Sequence, residues 1–544
     1  MHPNHNTLSS APRTAIVIGA GVAGLATAGL LAKDGYDVTV FEQQAQVGGR
    51  AGVLEDGGFR WDMGPSWWLM PGAFEHFYRL MGTTIEDELE LVNLNEPAFR
   101  MFTQDDEPLD VSTGTANVVE LFERIEPGAG ATVQRYLEGM ETDYRLAIEQ
   151  FLYTNFTQLR GLTSAQIMRR LGRLARKLTR SIESDVAAQF DNVQLRQLLT
   201  YAAVFLSSAP KITPAFYGIM NYTTLVEGVA YPMGGFGTFV ESLHRLAVEA
   251  GAKIETGTTV ERIHAQSNKA SRTVTAVTYR DADGGTHDQL ADIVVSCADR
   301  HHTETQLLDD PRAARPKSWK RRNPGLGSVL AYLGVRGELP ELAHHSLFFS
   351  ADWDPDFQAV FPANGRSNRT DFSESLYVSR PSATDPTVAP EGHENVFLLI
   401  PVPAMDNGIV GNLEHTEDPE VTAIVDRAID LVAQRIGVPN LAARIVARHT
   451  VGPGDFQNRF NAWQGNALGL AHTLSQSAFF RGSNTSKDVD GLYFAGATTV
   501  PGVGLPMCLI SAENVIKRLN DDTTTGPTPP PLQPSSAART AHDQ

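Results

Sequence analysis

The sequence predicts an α/β fold in which a dinucleotide-binding domain is interrupted by a second, α+β domain. A glycine-rich strand–turn–helix pattern lies near the start of the chain, at residues 15–50. A strand that turns through glycines into a helix lies near its end, at residues 491–507. With 544 residues the chain is too long for a single hydrophobic core, so the segment between these two patterns is expected to form further domains.

The N-terminal pattern begins with a short apolar run at residues 15–18, as expected for a buried parallel strand. Gly19, Gly21 and Gly24 follow with the spacing GxGxxG. The first glycine permits a tight turn, the second lets backbone approach a pyrophosphate, and the third lets helix pack on strand. The alternative is a transmembrane helix over residues 15–32, which carry no charge. Its glycines disfavour an isolated helix, and the stretch is barely long enough to span a bilayer. The pattern therefore favours a Rossmann-type site.

The residues that follow distinguish between dinucleotides. After a second predicted strand at 37–41, Glu42 stands about 20 residues past the glycines, where a carboxylate accepts hydrogen bonds from ribose and repels a 2′-phosphate. Gly49 and Arg50 then form a turn that brings N–H groups and a guanidinium toward phosphates. This extended pattern resembles the FAD-binding oxidoreductases of the glutathione-reductase-like group. Residues 325–330 (GLGSVL) lack the third glycine, so FAD is expected without a separate NAD(P)H site.

Composition restricts the class of protein. The formal net charge of −18 argues against nucleic-acid binding. Cys297 and Cys508 are the only cysteines, so neither a disulfide framework nor a metal site is expected, and the cytoplasm is the expected location. Apart from residues 15–32, no apolar run is long enough to span a bilayer. The polar segments 1–12 and 522–544 are predicted to be disordered, the second because it is rich in Pro, Ser and Thr.

The order of predicted elements indicates a discontinuous FAD-binding domain. Its three parts are predicted at 13–88, 228–298 and 483–521. A helical region that faces substrate or membrane is predicted at 89–227, and a substrate-domain sheet at 299–482. Strands of that sheet are predicted at 323–335, 375–378 and 395–401.

One stretch is basic in an otherwise acidic chain. Residues 151–182 contain no Asp or Glu but seven Arg or Lys side chains. Apolar residues fall on one face of the predicted helix and basic residues largely on the other. Two interpretations remain open: docking onto anionic lipid, or an ordinary surface helix whose apolar face packs on the core.

Four peptides, in order along the chain, resemble those of one family. They are WDMGPSWW at 61–68, YPMGGFGTFVESL at 231–243, FNAWQGNALGLAHTLSQSAFFR at 460–481 and GLYFAGATTVPGVGLPM at 491–507. They are similar to peptides of carotenoid desaturases of the bacterial phytoene desaturase type. The resemblance extends from about residue 15 to residue 519.

The resemblance implies which residues contact FAD. It adds a flavin-side loop and a C-terminal turn to the N-terminal glycines, and backbone near residue 260 is expected to contact adenine. The complete set of expected contacts is Gly19, Gly21, Gly24, Glu42, Gly49, Arg50, Gly64, Pro65, Ser66, Val260, Gly496, Leu505, Pro506 and Met507.

The resemblance also implies the reaction: successive removal of a hydride and a proton from adjacent saturated carbons of phytoene, toward lycopene. The flavin takes the hydride, and oxygen or a quinone reoxidises it. The hydrophobic carotenoid needs an apolar tunnel, for which Trp67, Trp68, Phe236 and Trp463 are candidate lining residues. No catalytic residue is assigned; Glu227, Arg380 and the 191–196 region are the candidates considered for the proton. Peripheral membrane association is expected.

Three residues depart from the family pattern at the C-terminal turn. Thr498 and Met507 replace glycines, and Val500 replaces a histidine, so position 500 offers no acid–base group. These changes leave room for a carotenoid isomerase, a ketolase or a desaturase of another carotenoid. A non-enzymatic prenyl-lipid carrier is the alternative from a different class.

Overall fold

The computed structural model describes residues 12–103, 107–155, 165–267, 271–308, 319–362 and 368–530, and side chains of the helix at 165–179 from residue 172 onward. The strands are β1 Thr14–Ile18, β2 Asp37–Phe41, β3 Val53–Asp56, β4 Phe59–Asp62, β5 Leu91–Leu94, β6 Phe99–Phe102, β7 Leu109–Val111, β8 Val229–Pro232, β9 Lys253–Glu255, β10 Thr259–Ser267, β11 Arg272–Arg280, β12 Thr286–Leu290, β13 Ile293–Ser296, β14 Leu326–Arg336, β15 His345–Phe348, β16 Leu376–Ser379, β17 His393–Pro403, β18 Ile445–Val451 and β19 Leu492–Phe494. The α-helices are α1 Val22–Lys33, α2 Pro71–Met81, α3 Ile85–Glu88, α4 Thr115–Ile125, α5 Ala129–Ala147, α6 Ala165–Thr179, α7 Ile182–Ala187, α8 Val193–Thr200, α9 Ile219–Tyr222, α10 Phe236–Glu249, α11 Arg300–His302, α12 Trp353–Val360, α13 Pro419–Arg435, α14 Leu441–Arg444, α15 Pro453–Phe460 and α16 Leu505–Leu519.

A parallel sheet carries the N-terminal glycine turn. Its strand order is β19–β13–β1–β2–β9, and every neighbouring pair is parallel. Four consecutive residues of β1 are buried, because α1, α10 and α16 pack on one face of the sheet and the antiparallel strands β10 and β11 pack on the other. The carboxyl ends of parallel strands meet at one edge, so the segments after β1, β2, β13 and β19 are brought together there.

A second, seven-stranded sheet lies further along the chain. Its order is β18–β14–β17–β16–β15–β6–β7, with β14 paired along its whole length to β17. One face packs on α13, and the other belongs to a large core shared with the helical region 115–200. Residues 326–330 open β14, an inner strand of this largely antiparallel sheet, so the GLGSVL peptide does not form a strand–turn–helix unit. The predicted mixed α/β fold is confirmed.

Within the basic segment, the structure describes basic side chains from residue 172 onward, and three of them, Arg173, Lys177 and Arg180, lie near carboxylates. Arg173 Nη2 lies 3.0 Å from Asp143 Oδ2, and Lys177 Nζ lies 3.7 Å from the same oxygen. Burial lowers the pKa of Lys177, although Asp143 and Asp185 oppose the shift. Lys177 is 13% exposed at its side chain and is largely withdrawn from solvent, whereas Arg173 is 44% exposed and Arg176 is exposed as well. Part of the basic face therefore does face outward, and whether it meets lipid stays a prediction.

The predicted disordered ends fall mostly outside the described residues, which exclude 1–11 and 531–544. Residues 522–530 are described and lie against α16. The buried Lys517 Nζ donates to the carbonyl oxygens of Thr524 and Gly526, at 2.8 and 2.7 Å. Because the buried ammonium group of Lys517 needs hydrogen-bond acceptors, it holds this part of the Pro-rich tail by its backbone carbonyls. Among the described helices, none is both long enough and apolar enough to cross a membrane.

Candidate functional site

A cavity of about 830 Å³ extends from the carboxyl edge of the parallel sheet to the face of the seven-stranded sheet. It joins polar residues of the glycine turns to a wall of aliphatic and aromatic side chains. All the residues predicted to contact the cofactor line this cavity: Gly19, Gly21, Gly24, Glu42, Gly49, Arg50, Gly64, Pro65, Ser66, Val260, Gly496, Leu505, Pro506 and Met507. The fold therefore brings together positions from both ends of the chain.

The glycine turn needs its glycines for close packing. A Cβ on Gly24 would collide with the carbonyl oxygen of Gly19, so only glycine lets α1 start this close to β1. Gly19 itself has φ +95°, a conformation that glycine adopts at little cost. Gly21 faces the second glycine turn, where a Cβ on Gly49 would lie 3.3 Å from the Gly21 Cα. Two backbones thus line the cavity without side chains between them, as a pyrophosphate requires.

Glu42 is fixed at the end of β2. Its Oε2 accepts a hydrogen bond from Ala20 N at 2.7 Å, and its Oε1 accepts one from Gln44 N at 2.8 Å. Burial raises the pKa of this carboxyl, and the backbone N–H donors oppose the shift. Each carboxylate oxygen retains acceptor capacity for a ribose hydroxyl.

Arg50 places a half-buried cation beside the glycine turns. Its Nη2 donates to the carbonyl oxygen of Asn466 at 3.2 Å, while its Nε has no partner among the described residues. Burial lowers the pKa of Arg50, and the nearby Asp299 carboxylate opposes the shift. A half-buried guanidinium beside two glycine turns fits a phosphate anion.

The C-terminal turn between β19 and α16 is held by the buried Arg481. Its guanidinium donates to carbonyl oxygens of Leu470 and Ala497, at 3.0 and 2.7 Å, and of Thr499 at 3.1 Å. The turn also contacts His472, which lines the cavity and which the sequence reasoning did not single out. A signal was present, because His472 lies within the peptide at 460–481 that resembles the family.

The aromatic candidates for the tunnel divide into two groups. Trp67 lines the cavity and stacks on His345, with ring centroids 4.4 Å apart. Trp68 instead stacks on Phe74 in the core beneath the parallel sheet, at 3.8 Å, and Phe236 is fully buried in the same core. Trp463 packs against the rings of His301 and Trp319. The prediction that all four line the tunnel was therefore wrong for Trp68, Phe236 and Trp463, which pack against other side chains and do not line the cavity.

The seven-stranded sheet supplies the apolar floor of the cavity. Leu330, Leu399, Tyr377 and Leu347 lie side by side across β14, β17, β16 and β15 in register, and all four line the cavity. Strand pleating turns such a row to one face. This arrangement suits a long hydrocarbon and offers few hydrogen-bond partners.

The cavity reaches the protein surface beside several apolar side chains. Leu474, Phe479 and Phe480 line it and are 44%, 41% and 63% exposed. Leu174 and Leu178 of α6 line it as well. We call these five residues the mouth.

The candidates for the proton differ in their surroundings. Arg380 is paired with Glu394 at 2.8 Å, and neither lines the cavity. Asp191 is fully exposed at its side chain and pairs with Arg196. Glu227 is an exposed residue whose carboxyl lies beside the hydroxyl of Tyr144, a side chain that lines the cavity, and desolvation raises the pKa of Glu227 to about 7. Glu227 is the candidate that the structure connects to the cavity.

Comparisons with known proteins agree with this geometry. The model of the family described as flavin containing amine oxidoreductase matches residues 22–519. The chain is 37% identical to a carotenoid 3,4-desaturase of Haloarcula japonica, covering 93% of this chain and 98% of that one. It is 34% identical to a zeta-carotene-forming phytoene desaturase of Myxococcus xanthus, covering 94% of each. The structure of a putrescine oxidase variant matches 94% of this chain and 99% of that one, with TM-score 0.57 at 14% identity, which shows a shared fold.

Proposed function

Because this chain belongs to the flavin-containing amine oxidoreductase family, we propose that it is an FAD-dependent carotenoid desaturase. The observation that carries the proposal is the continuity of one cavity from the glycine turns to an apolar floor. The carotenoid desaturases among its relatives cover nearly the whole chain, which supports the same conclusion.

The cofactor is FAD, and the fit of the residues supports a Rossmann-type domain interrupted by a substrate domain. Glu42 would hold the ribose, the facing turns at Gly21 and Gly49 the pyrophosphate together with Arg50, and Val260 the adenine. The flavin-side loop and the C-terminal turn would enclose the flavin ring. When bound, the flavin accepts the hydride from the substrate carbon.

The protein itself must orient the polyene, exclude water and take up a proton. The floor residues Leu330 and Leu399 and the ring of Trp67 hold a hydrocarbon by apolar contact and keep water away from the reacting carbons. The proton leaves toward Tyr144, whose hydroxyl passes its own proton to the Glu227 carboxylate as it accepts the one released from carbon. Hydride and proton together account for both hydrogens removed per double bond.

Phytoene is the first candidate substrate, with lycopene as product after successive desaturations. A second candidate is 3,4-desaturation of a carotenoid that is already extended, since the relative named for that reaction is 37% identical. Expression in cells that accumulate phytoene and in cells that accumulate lycopene, followed by pigment chromatography, separates the two. New chromophores in only one host assign the substrate; unchanged pigments in both hosts would count against the proposed function.

We further propose that the mouth contacts the membrane in which the carotenoid dissolves. Exposed Phe479 and Phe480 at an opening into an apolar cavity suit insertion into the interfacial region of a bilayer. Phe479→Ser with Phe480→Ser should reduce sedimentation with phosphatidylglycerol vesicles. Leu290→Ser is the matched control, because Leu290 is 77% exposed on β12 and does not line the cavity. Equal binding by both variants would place membrane contact elsewhere.

A further inference from the structure

The part of the Pro-rich tail at residues 522–528, which we call the strap, crosses a buried cation of α16. Lys517 is 2% exposed, and its Nζ donates to the strap carbonyl oxygens of Thr524 and Gly526 at 2.8 and 2.7 Å. The same Nζ donates to the carbonyl oxygen of Tyr153 at 2.8 Å. The three acceptors match the three donors of an ammonium group. One side chain thus ties the strap to the residues that follow α5.

A buried carboxylate, one helical turn before Lys517, binds the far end of the strap. Glu513 is 3% exposed, and its Oε1 accepts a hydrogen bond from the backbone N–H of Thr528 at 2.6 Å. Its Oε2 lies 2.9 Å from Nε2 of His76 on α2. The strap is therefore bonded through its backbone to a buried cation and to a buried anion, and both of these groups need partners away from water.

The residues that follow α5, at 148–155, are bonded both to α16 and to the strap. Asn514 of α16 donates from Nδ2 to the carbonyl oxygen of Leu152 at 3.1 Å. Asn155 donates from its own Nδ2 to the strap carbonyl oxygen of Asp522 at 2.7 Å. Carbonyls at the end of a helical turn, such as that of Leu152, lack partners within the turn, so these external donors fix where the segment lies.

The segment at 148–155 forms part of the cavity wall. Phe151 lines the cavity, and its ring centroid lies 6.2 Å from that of Phe216, which lines the cavity as well. The hydroxyl of the next residue, Tyr217, is bonded to Ser477 Oγ at 2.8 Å, two residues before Phe479 of the mouth. The segment that the strap holds therefore belongs to the wall that continues to the mouth.

We propose that the strap restricts the exchange of apolar ligand through the mouth. While the strap is bound, the segment at 148–155 stays against α16; when the strap detaches, this wall moves and the mouth widens. The strap forms neither helix nor strand, and none of its residues is buried, so its detachment is a local opening that leaves the core intact. Neither FAD nor a carotenoid is needed for this control, because the contacts that carry it lie within the protein.

Two shortened chains test this role. Ending the chain after Asp521 removes the strap, whereas ending it after Pro530 keeps the strap and is the matched control. The two are compared, at equal flavin content, for hydrogen exchange at 148–155 and for the rate at which bound Nile red is released to added phosphatidylcholine vesicles. Dye that Leu330→Trp prevents from binding is counted as cavity-bound, because the larger side chain fills space in the cavity.

We expect the chain that ends after Asp521 to exchange the amides at 148–155, and to release the dye, about tenfold faster than the control, because the wall loses its hydrogen bond to the strap and Lys517 loses two acceptors. Equal release by the two chains would overturn the proposal. Faster exchange with unchanged release would overturn it as well, because the strap would then fix the wall without controlling the mouth.

A substitution in the full-length chain gives a second test that does not depend on the folding of a shortened chain. Thr528→Pro removes the N–H that Glu513 accepts, whereas Thr528→Ala keeps this N–H and is the control. We expect about threefold faster dye release from Thr528→Pro, with thermal unfolding near that of the wild type. Release at the rate of Thr528→Ala would contradict the role of the strap. None of these measurements uses carotenoid conversion, so a failed desaturase assay and a failed strap remain distinguishable.

Discussion

Arg481 is expected to control the stability of the C-terminal turn. It is fully buried, and its guanidinium joins residues 470–476 to residues 497–499 through carbonyl acceptors. Burial lowers its pKa to about 10, so it remains charged at neutral pH. Arg481→Met removes these donors and leaves buried carbonyl oxygens without partners, although it also removes the cost of burying a charge. The expected loss is about 3 kcal/mol in the free energy of opening the turn.

Hydrogen exchange measures that local free energy directly. A loss of about 3 kcal/mol should accelerate exchange of the amides at 497–503 about a hundredfold. Arg444→Met is the matched control, since Arg444 also donates to two backbone carbonyls, of Arg336 and Glu338, both at 2.7 Å, but is partly exposed. It should cost about 0.5 kcal/mol. If the two variants exchange alike in the turn, the argument that Arg481 holds it by buried donors is refuted.

Three other outcomes are expected. Glu42→Gln should raise the dissociation constant of FAD about tenfold, because a charged acceptor is lost from the ribose site; unchanged loading in a flavin titration would contradict the role. The rate of single-turnover flavin reduction should rise with pH through about 7, because Glu227, with its raised pKa, is protonated below that pH and able to accept a proton above it. Glu227→Gln should remove this rise of the rate with pH. If the rise persists in the variant, Glu227 is excluded as the proton acceptor. Leu330→Trp should fill space above the floor of the cavity and slow carotenoid conversion at least about tenfold, while the FAD content of the protein is preserved. If the variant converts carotenoid at the normal rate, the polyene does not bind over this floor.

Local signals were sufficient for the cofactor end of the cavity. Gly24 is dictated by contact with Gly19 in the same turn, and Glu42 follows its own strand directly, so spacing along the chain encodes their geometry. The family resemblance supplied the contacts from the flavin-side loop, from residue 260 and from the C-terminal turn, and all fourteen expected contacts line a single cavity. Their roles toward FAD remain predictions that flavin binding must test.

The aromatic residues show where local signals fail. Trp67 and Trp68 are adjacent in sequence, yet one lines the cavity and the other packs in the core, because successive side chains in extended backbone point in opposite directions. Composition alone does not say which of the two faces inward. The basic pattern of α6 was similarly ambiguous, because the partners Asp143 and Asp185 lie in other helices.

The sequence by itself determined the α/β fold and predicted the dinucleotide site, because glycine spacing, apolar runs and the strand-end carboxylate act over a few neighbouring residues. The class of chemistry came from the resemblance of four peptides to one family. Only the tertiary structure decided which apolar residues form the floor, where the cavity opens, and that His472 stands beside Gly502 and Val503. These are contacts between segments distant in sequence, fixed by strand register and by the packing of buried groups. The pattern of one segment does not specify the partner that another segment places against it.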